Sequence, residues 1–282
     1  MKRNLLKKHA KSFNWASFFL SNEVFNKCSS LYNFCRTLDD IVYDDNKLEV
    51  KKKNFLKFKK EFENKDTNNQ IIKDMWSIID SENISKKIVI DLFDGVETDL
   101  EEKVEINSKK DLLVYSYRVA GTVGLMMSKI LKVNNKESLK GAIDLGIAMQ
   151  LTNIARDVCE DKKRNRQYIK PDFSSIKNTI RESEIFYRKS FKSISSIALR
   201  SRFSVIVARR VYKKIGDYIL KQKNIENYNN AGKIYIPVFE KMIQTLLSIF
   251  DFVKLLFVVN LSYDNQENHN ILEQEINLNE RI

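Results

Sequence analysis

The stretch LKGAIDLGIAMQLTNIARDVCED, residues 139–161, decides the fold. Its apolar residues recur every three to four positions and no Pro interrupts them, which is typical of one long, largely buried α-helix. At 100° per residue, Gln150, Asn153, Asp157 and Asp161 fall within an arc of roughly 80° and project from one side. Since buried polar groups need partners, this stripe indicates a binding site on the helix.

The rest of the chain favours the same class of structure. The 282 residues include only 7 Gly and 2 Pro, and no linker divides them, so we predict an all-α chain. One domain would span residues 1–263, and residues 264–282 would form a polar, frayed tail with His269 exposed. The late apolar run at 245–263 contains Asp251 and Lys254, which argues against a membrane span and leaves a buried or membrane-facing helix open.

Charge and cysteine content restrict the partners and the compartment. The formal net charge is +12, which favours an anionic partner such as nucleic acid, a diphosphate or a membrane surface. The three cysteines are too few and too scattered for a disulfide framework, so a reducing cytoplasm fits. The basic N-terminus lacks the apolar core and cleavage site of a signal peptide.

A second acidic cluster, YNFCRTLDDIVYDD, occupies residues 32–45. Two acidic clusters that face each other across a helical bundle could hold Mg²⁺ ions, which would in turn bind phosphate oxygens. Carboxylates at intervals of four also occur on any solvated helix, so neither cluster is specific alone.

Several segments together resemble the squalene and phytoene synthase family of head-to-head prenyl transferases. They are HAKSF at 9–13, FCRTLDD at 34–40, YSYRVAGTVGLMM at 115–127 and LTNIARDVCED at 151–161, with a weaker echo in IPVFEKM at 236–242. The resemblance implies an isoprenoid-synthase-type helical bundle around a central cavity, with two acidic motifs on facing helices.

The resemblance also implies roles for individual residues. The metal ligands, for Mg²⁺ or alternatively Mn²⁺, would be Asp157 and Asp161 in the second motif and Asp39, Asp40 and Asp44 in the first. The catalytic residues would be Arg36, Tyr115, Asn153 and Arg156, and the substrate-binding residues would be His9, Ser12, Val119, Ala120, Gly124, Gln150 and Lys233. Tyr115, Tyr117 and the aromatics around Phe34 are candidates for stabilising a carbocation, although a plain core role fits each of them.

Two departures from the family pattern matter. The second carboxylate of the first motif usually lies four residues after the position of Asp39, where this chain has Tyr43. Either the helix turns to use Asp40 and Asp44, a pair rotated by about 100°, or Asp39 works with a reduced set of carboxylate ligands. Near the C-terminal end the family often has Arg where this chain has Lys233, which keeps the charge and loses bidentate geometry.

The implied activity is the joining of two prenyl diphosphates through a cyclopropyl diphosphate. The string RVAGTVGLMM favours a phytoene synthase of carotenoid biosynthesis, which joins two geranylgeranyl diphosphates without NADPH. The alternatives are a squalene or dehydrosqualene synthase acting on farnesyl diphosphate, a non-catalytic family member, and a basic helical protein that binds membranes or RNA.

The predicted partners are prenyl diphosphates and, by peripheral contact, a membrane. Basic residues are not interleaved with aromatics as in RNA-binding modules, so no nucleic acid is expected. A long hydrocarbon product must leave into lipid, and a basic surface favours anionic headgroups, which predicts a cytoplasmic, peripherally membrane-associated protein. The sequence leaves the oligomeric state open.

Overall fold

A computed structural model describes residues 11–258 and 263–282, with side chains from Asn14 onward. The described elements, in chain order, are α1 (Lys11–Ser17), α2 (Asn22–Tyr43), α3 (Leu48–Glu63), α4 (Gln70–Glu82), α5 (Lys86–Thr98), β1 (Val104–Glu105), α6 (Lys109–Ser116), a π-helical turn (Tyr117–Gly121), α7 (Thr122–Ile130), α8 (Lys136–Lys162), β2 (Arg166–Gln167), α9 (Phe173–Lys189), a 3₁₀ turn (Lys192–Ser196), α10 (Leu199–Leu220), α11 (Ile225–Ala231), α12 (Val238–Leu256), α13 (Gln266–Glu273) and a second 3₁₀ turn (Leu278–Glu280). This confirms the all-α prediction.

Helix α8 is the central element and contains the whole of the stretch at 139–161. It begins after Asn135, whose side-chain oxygen accepts a hydrogen bond from the Ser138 backbone N–H at 3.0 Å, as an N-cap residue should. The π-helical turn, α7, α9 and α10 all pack against it. Because neighbours surround most of α8, its residues from Ser138 to Asp161 are buried or half-buried, whereas Lys136 and Lys162 at its two ends are exposed.

The close approach of α8 to the π-helical turn and α7 depends on two glycines. A Cβ on Gly146 would lie 2.2 Å from the Ala120 carbonyl oxygen, and a Cβ on Gly124 would lie 2.3 Å from the Ala142 carbonyl oxygen. Only glycine permits such backbone contact. The wall formed by the π-helical turn is therefore fixed against α8, and short π segments often lie at functional sites.

The aromatic residues around Phe34 form part of the hydrophobic core. Phe34 lies within 5.5–5.8 Å, between ring centroids, of Phe58, Phe62 and Phe93. Tyr117 is also fully buried, and its hydroxyl donates to the Asp91 carboxylate at 2.9 Å. These aromatics have the plain core role, and the idea that they stabilise a carbocation is wrong for Phe34 and Tyr117.

The expectation of a frayed tail is wrong. Residues 266–273 form α13, and His269 is fully buried. His269 Nε2 lies 2.9 Å from the Asp144 carboxylate on α8, which also accepts hydrogen bonds from the Tyr263 hydroxyl and the Asn265 amide. A buried carboxylate needs such partners, so a sequence that is polar overall is nevertheless docked on the core.

Helix α12 has inverted polarity. Its buried side is largely polar, with Lys241, Gln244, Ser248 and Asp251, and Arg210 of α10 donates to both Asp251 (2.7 Å) and Gln244 (3.2 Å). Its outward side is apolar. Within the described residues, no helix combines the length and the apolar character needed to cross a membrane.

Candidate active site

The described residues enclose a cavity with a volume of about 690 Å³ between α1, α2, α7, α8, α10 and the π-helical turn. One end is charged and opens to solvent beside half-buried Glu160 and exposed Arg164 and Lys233. The other end is apolar and is lined by buried Leu131, Val133, Ile194 and Ile197. The cavity thus suits a ligand with a charged head and a long hydrocarbon tail.

The polar stripe of α8 lines this cavity as predicted, with Gln150, Asn153, Asp157 and Asp161 all on its surface. The Asn153 side-chain oxygen is buried and has no hydrogen-bond partner. Buried polar atoms are rarely left unpaired. This unpaired acceptor therefore indicates that a bound ligand supplies its hydrogen-bonding partner.

Basic residues surround the first carboxylate of the stripe. Arg156 donates to both oxygens of Asp157, at 2.8 and 2.6 Å, and Lys233 Nζ lies 3.4 Å from the same carboxylate and 2.7 Å from Glu160. Tyr228 anchors this part of α8 because its hydroxyl donates to the carbonyls of Ala155 and Arg156. Arg156 and Lys233 both line the cavity, and their predicted catalytic and substrate-binding roles stay predictions.

The first acidic cluster contributes less to the cavity. Arg36, Asp39 and Tyr43 line it. Asp40 pairs with Arg36 at 2.6 Å and is half exposed, and Asp44 is exposed and accepts a hydrogen bond from Asn46. The structure does not bring Asp40 and Asp44 to the cavity, because α2 buries Leu31, Leu38 and Val42 and this packing fixes its rotation.

Burial changes the titration of the carboxyl groups in the cavity. Loss of solvent raises the pKa of Asp39 to about 7, although the Arg36 charge opposes this. Loss of solvent also raises the pKa of Asp161 to about 7, with a further contribution from the Asp157 charge. Groups of this kind favour a bound cation, since a cation removes the cost of ionising them.

A buried network behind the carboxylates was missed from the sequence. Tyr115 and Tyr168 stack with ring centroids 4.7 Å apart, and their hydroxyls donate to the two oxygens of Asp99 at 2.9 and 2.6 Å. Arg166 donates to the Asp99 backbone carbonyl at 2.9 Å. Tyr115 thus lines the cavity as predicted, with Asp99 as its partner. Asp99 follows the last residue of α5 and has Glu97, Glu101 and Glu102 close to it in the sequence, so no spacing pattern distinguishes it from these neighbours.

The remaining predicted residues divide into two groups. Val119, Ala120 and Gly124 line the cavity beside α8, where small side chains leave room for a ligand. His9 lies outside the described residues, and Ser12 belongs to α1 although its side chain lies outside the described part.

The donor set fits divalent metal ions that arrive with a ligand. Carboxylates and a carboxamide oxygen suit Mg²⁺ or Mn²⁺. In the described part of the chain, no group of three or more His, Cys, Asp or Glu side chains is placed to share one ion. Asp39, Asp157 and Asp161 would therefore each supply part of a coordination shell that phosphate oxygens and water complete.

The chain folds as a helical bundle around a cavity. One end of the cavity is apolar, and the other carries acidic, guanidinium and amide groups. Together these features define a prenyl transferase of the isoprenoid-synthase type. Residues 6–173 match the squalene/phytoene synthase family. The chain belongs to this family, whose members use divalent metal ions and condense prenyl diphosphates head to head.

Individual relatives agree with this assignment. The chain is 27% identical over 240 residues to a 15-cis-phytoene synthase of Pantoea ananas, covering 73% of this chain and 77% of that protein. It is 33% identical over 150 residues to a 15-cis-phytoene synthase of Paracoccus sp., a match that covers 47% of this chain and 49% of the relative. A dehydrosqualene synthase crystal structure superposes with a TM-score of 0.73 at 25% identity, covering 89% of this chain and 94% of the other.

Proposed function

We propose that this chain joins two molecules of geranylgeranyl diphosphate head to head to form phytoene, with Mg²⁺ and without NADPH. The observation that carries the proposal is the polarity of the cavity, in which the Asp157 and Asp161 stripe stands at one end and apolar side chains enclose the other. The names of the two phytoene synthase relatives support the choice of substrate.

The residues of the cavity would have two roles: charged side chains would bind the diphosphate, and apolar side chains would exclude water. Mg²⁺, when bound, neutralises the diphosphate leaving group. Arg36, Arg156 and Lys233 line the charged end and would hold and orient phosphate oxygens. Val96, Val119 and Ile154 line the cavity and would keep water from the allylic cation until the second alkene attacks it.

A second candidate reaction is the joining of two farnesyl diphosphates to dehydrosqualene or squalene. The structural similarity to a dehydrosqualene synthase at 25% identity favours it. The difference between the substrates is one prenyl unit, so the depth of the apolar end would decide between them.

The test is incubation of the purified protein and Mg²⁺ with labelled geranylgeranyl or farnesyl diphosphate, with and without NADPH. We expect phytoene from the C20 substrate, in equal yield with and without NADPH, and no product when EDTA replaces Mg²⁺. A C30 hydrocarbon formed faster than phytoene would support the second candidate. No hydrocarbon from either substrate would contradict both.

We also propose that the protein acts at a membrane surface through the outward side of α12. Along this helix, large apolar side chains face outward, including Phe239 (72% exposed), Leu246 (64%) and Phe250 (66%). Phe252 of α12 contacts the ring of Phe203, and Phe203 contacts Phe19. Phe19 in turn contacts Phe18, which is 84% exposed. Exposed apolar patches of this extent mark interaction sites.

A lipid bilayer is the occupant that fits α12 best. The helix pairs its polar residues internally and presents to the outside a side on which Lys254 is the charged residue, as expected of a helix lying in an interface. The net charge of +12 favours anionic headgroups. The proposed product is a hydrocarbon that must leave into lipid.

Vesicle flotation tests this surface with a matched pair of variants. Leu246→Asp on α12 should abolish flotation with vesicles containing an anionic lipid. Leu56→Asp, at a residue of α3 with a similar exposure of 56%, should leave flotation unchanged. Equal behaviour of the two variants would contradict the proposal, as would a wild-type dimer in solution that Leu246→Asp converts to a monomer.

A further inference from the structure

The two walls that face each other across the charged end carry different groups. Helix α8 presents three carboxylates to the cavity, those of Asp157, Glu160 and Asp161, whereas α2 presents Asp39 and then, one turn later, Tyr43. Metal ions held by carboxylates are therefore expected nearer α8, which leaves the end of α2 to contact the ligand by other means.

Tyr43 supports two guanidinium groups. The carbon at the centre of the Arg164 guanidinium lies 4.8 Å from the Tyr43 ring centroid, and that of Arg166 lies 4.4 Å from it. Both distances are within the range of cation–π attraction. Arg166 is 6% exposed and donates to the Asp99 carbonyl, so it belongs to the scaffold.

The backbone after α8 fixes Arg164 in this position. The Arg164 N–H donates to the Asp161 carbonyl at 2.9 Å, and Asn165 adopts a left-handed conformation with φ of 56°. The next residues form β2, which pairs in parallel with β1, Val104 opposite Arg166. A turn fastened on both sides thus carries Arg164 over the Tyr43 ring.

Arg164 differs from Arg166 because it reaches the ligand space. It is exposed and lines the cavity. A guanidinium held over an aromatic ring by cation–π attraction keeps N–H groups available, and two of these match two phosphate oxygens. The ring therefore orients a bidentate phosphate donor beside Asp161.

We propose that Tyr43 and Arg164 form a diphosphate-binding pair, so that α2 contributes one metal-binding carboxylate, Asp39, and one ring that positions a guanidinium. The pair binds diphosphate oxygens directly, and the metal ions are held mainly from α8. That the diphosphate belongs to a prenyl substrate rests on the proposed function; the binding of the diphosphate group itself does not.

Calorimetric titration with inorganic pyrophosphate, with and without Mg²⁺, tests the pair. Arg164→Ala should weaken pyrophosphate binding by about tenfold or more, the loss of a charge-assisted hydrogen-bonding partner. Lys163→Ala removes the same charge from the adjacent exposed residue and should weaken it less than about twofold. Tyr43→Phe keeps the ring and should bind as the wild type, whereas Tyr43→Leu should resemble Arg164→Ala.

Equal losses in Arg164→Ala and Lys163→Ala would overturn the proposal, as would a Tyr43→Phe variant that binds as weakly as Tyr43→Leu. A further comparison counts bound Mn²⁺ by electron paramagnetic resonance with pyrophosphate present. Tyr43→Asp should bind more Mn²⁺ than Tyr43→Asn, a variant of similar size, and equal counts would contradict a one-carboxylate α2. Because no prenyl chain is used, these results are independent of the condensation assay.

Discussion

Helix α8 and the C-terminal end of α2 both have acidic residues at intervals of four, but their positions relative to the cavity differ. In α8 the stripe lies on a helix that neighbours surround, and Asp157 and Asp161 both reach the ligand space. In the first motif, Asp39 and Asp40 lie in the last two turns of α2 and Asp44 follows its last residue, and of these three only Asp39 reaches the ligand space. Spacing defines a stripe, whereas the buried face of the helix decides which stripe points inward.

The largest expected effect is on α8. Asp157→Asn should lower the rate of hydrocarbon formation by about 100-fold or more, because a ligand that holds a catalytic metal contributes several kcal/mol to the transition state. The amide keeps the size of the side chain, so an unchanged circular dichroism spectrum serves as the control. A fully active variant would show that the stripe does not hold metal.

A smaller effect separates the two interpretations of α2. Asp39→Asn should lower the rate by about tenfold or more, whereas Asp44→Asn, at an exposed residue that contacts Asn46, should change it by less than about twofold. The measurement is the initial rate at saturating substrate for both variants. If Asp44→Asn were the more damaging change, α2 would rotate in the working enzyme and the contrast with α8 would disappear.

The smallest expected effect concerns pH. The pKa of Asp39 and of Asp161 is raised to about 7, so the folded protein keeps two protons that the unfolded chain releases near pH 4. The free energy of unfolding contributed by these groups therefore falls as pH rises from about 4 to about 7. Mg²⁺ should reverse the fall, because it favours the ionised carboxylates.

Melting temperatures measured from pH 5 to pH 8, with and without Mg²⁺, check this expectation. Asp39→Asn and Asp161→Asn should each flatten part of the metal-free profile. A profile that neither variant changes would mean that other groups control it.

The sequence predicted α8 almost completely, and for a physical reason. In a long helix with a continuous apolar periodicity, the angular position of each side chain follows from helix geometry alone. This is why the shared direction of Gln150, Asn153, Asp157 and Asp161 could be predicted. Asp40 and Asp44 were misplaced because the rotation of α2 depends on packing partners that are distant in sequence.

The burial of Arg166 and of His269 could not be predicted from the sequence for a related reason. Residues 162–166 contain four basic residues in sequence, a pattern typical of a solvated surface, yet only part of the run is solvated: Lys162 and Lys163 are exposed, whereas Arg166 is buried. His269 was assigned to a frayed tail because its buried partner, Asp144, lies on α8 more than a hundred positions earlier. Long-range pairs of this kind leave no local periodicity to detect.

The contact between Asp144 and the last segment has a genetic consequence. A stop codon at position 264 would delete none of the residues that line the cavity, yet it would remove His269 and Asn265, two partners of the Asp144 carboxylate, together with the buried side chains of Leu272 and Leu278. Breaking a buried polar network of this kind is strongly destabilising. Such an allele should behave as a loss of the whole enzyme, because the anchored carboxylate belongs to the same helix that carries Asp157 and Asp161.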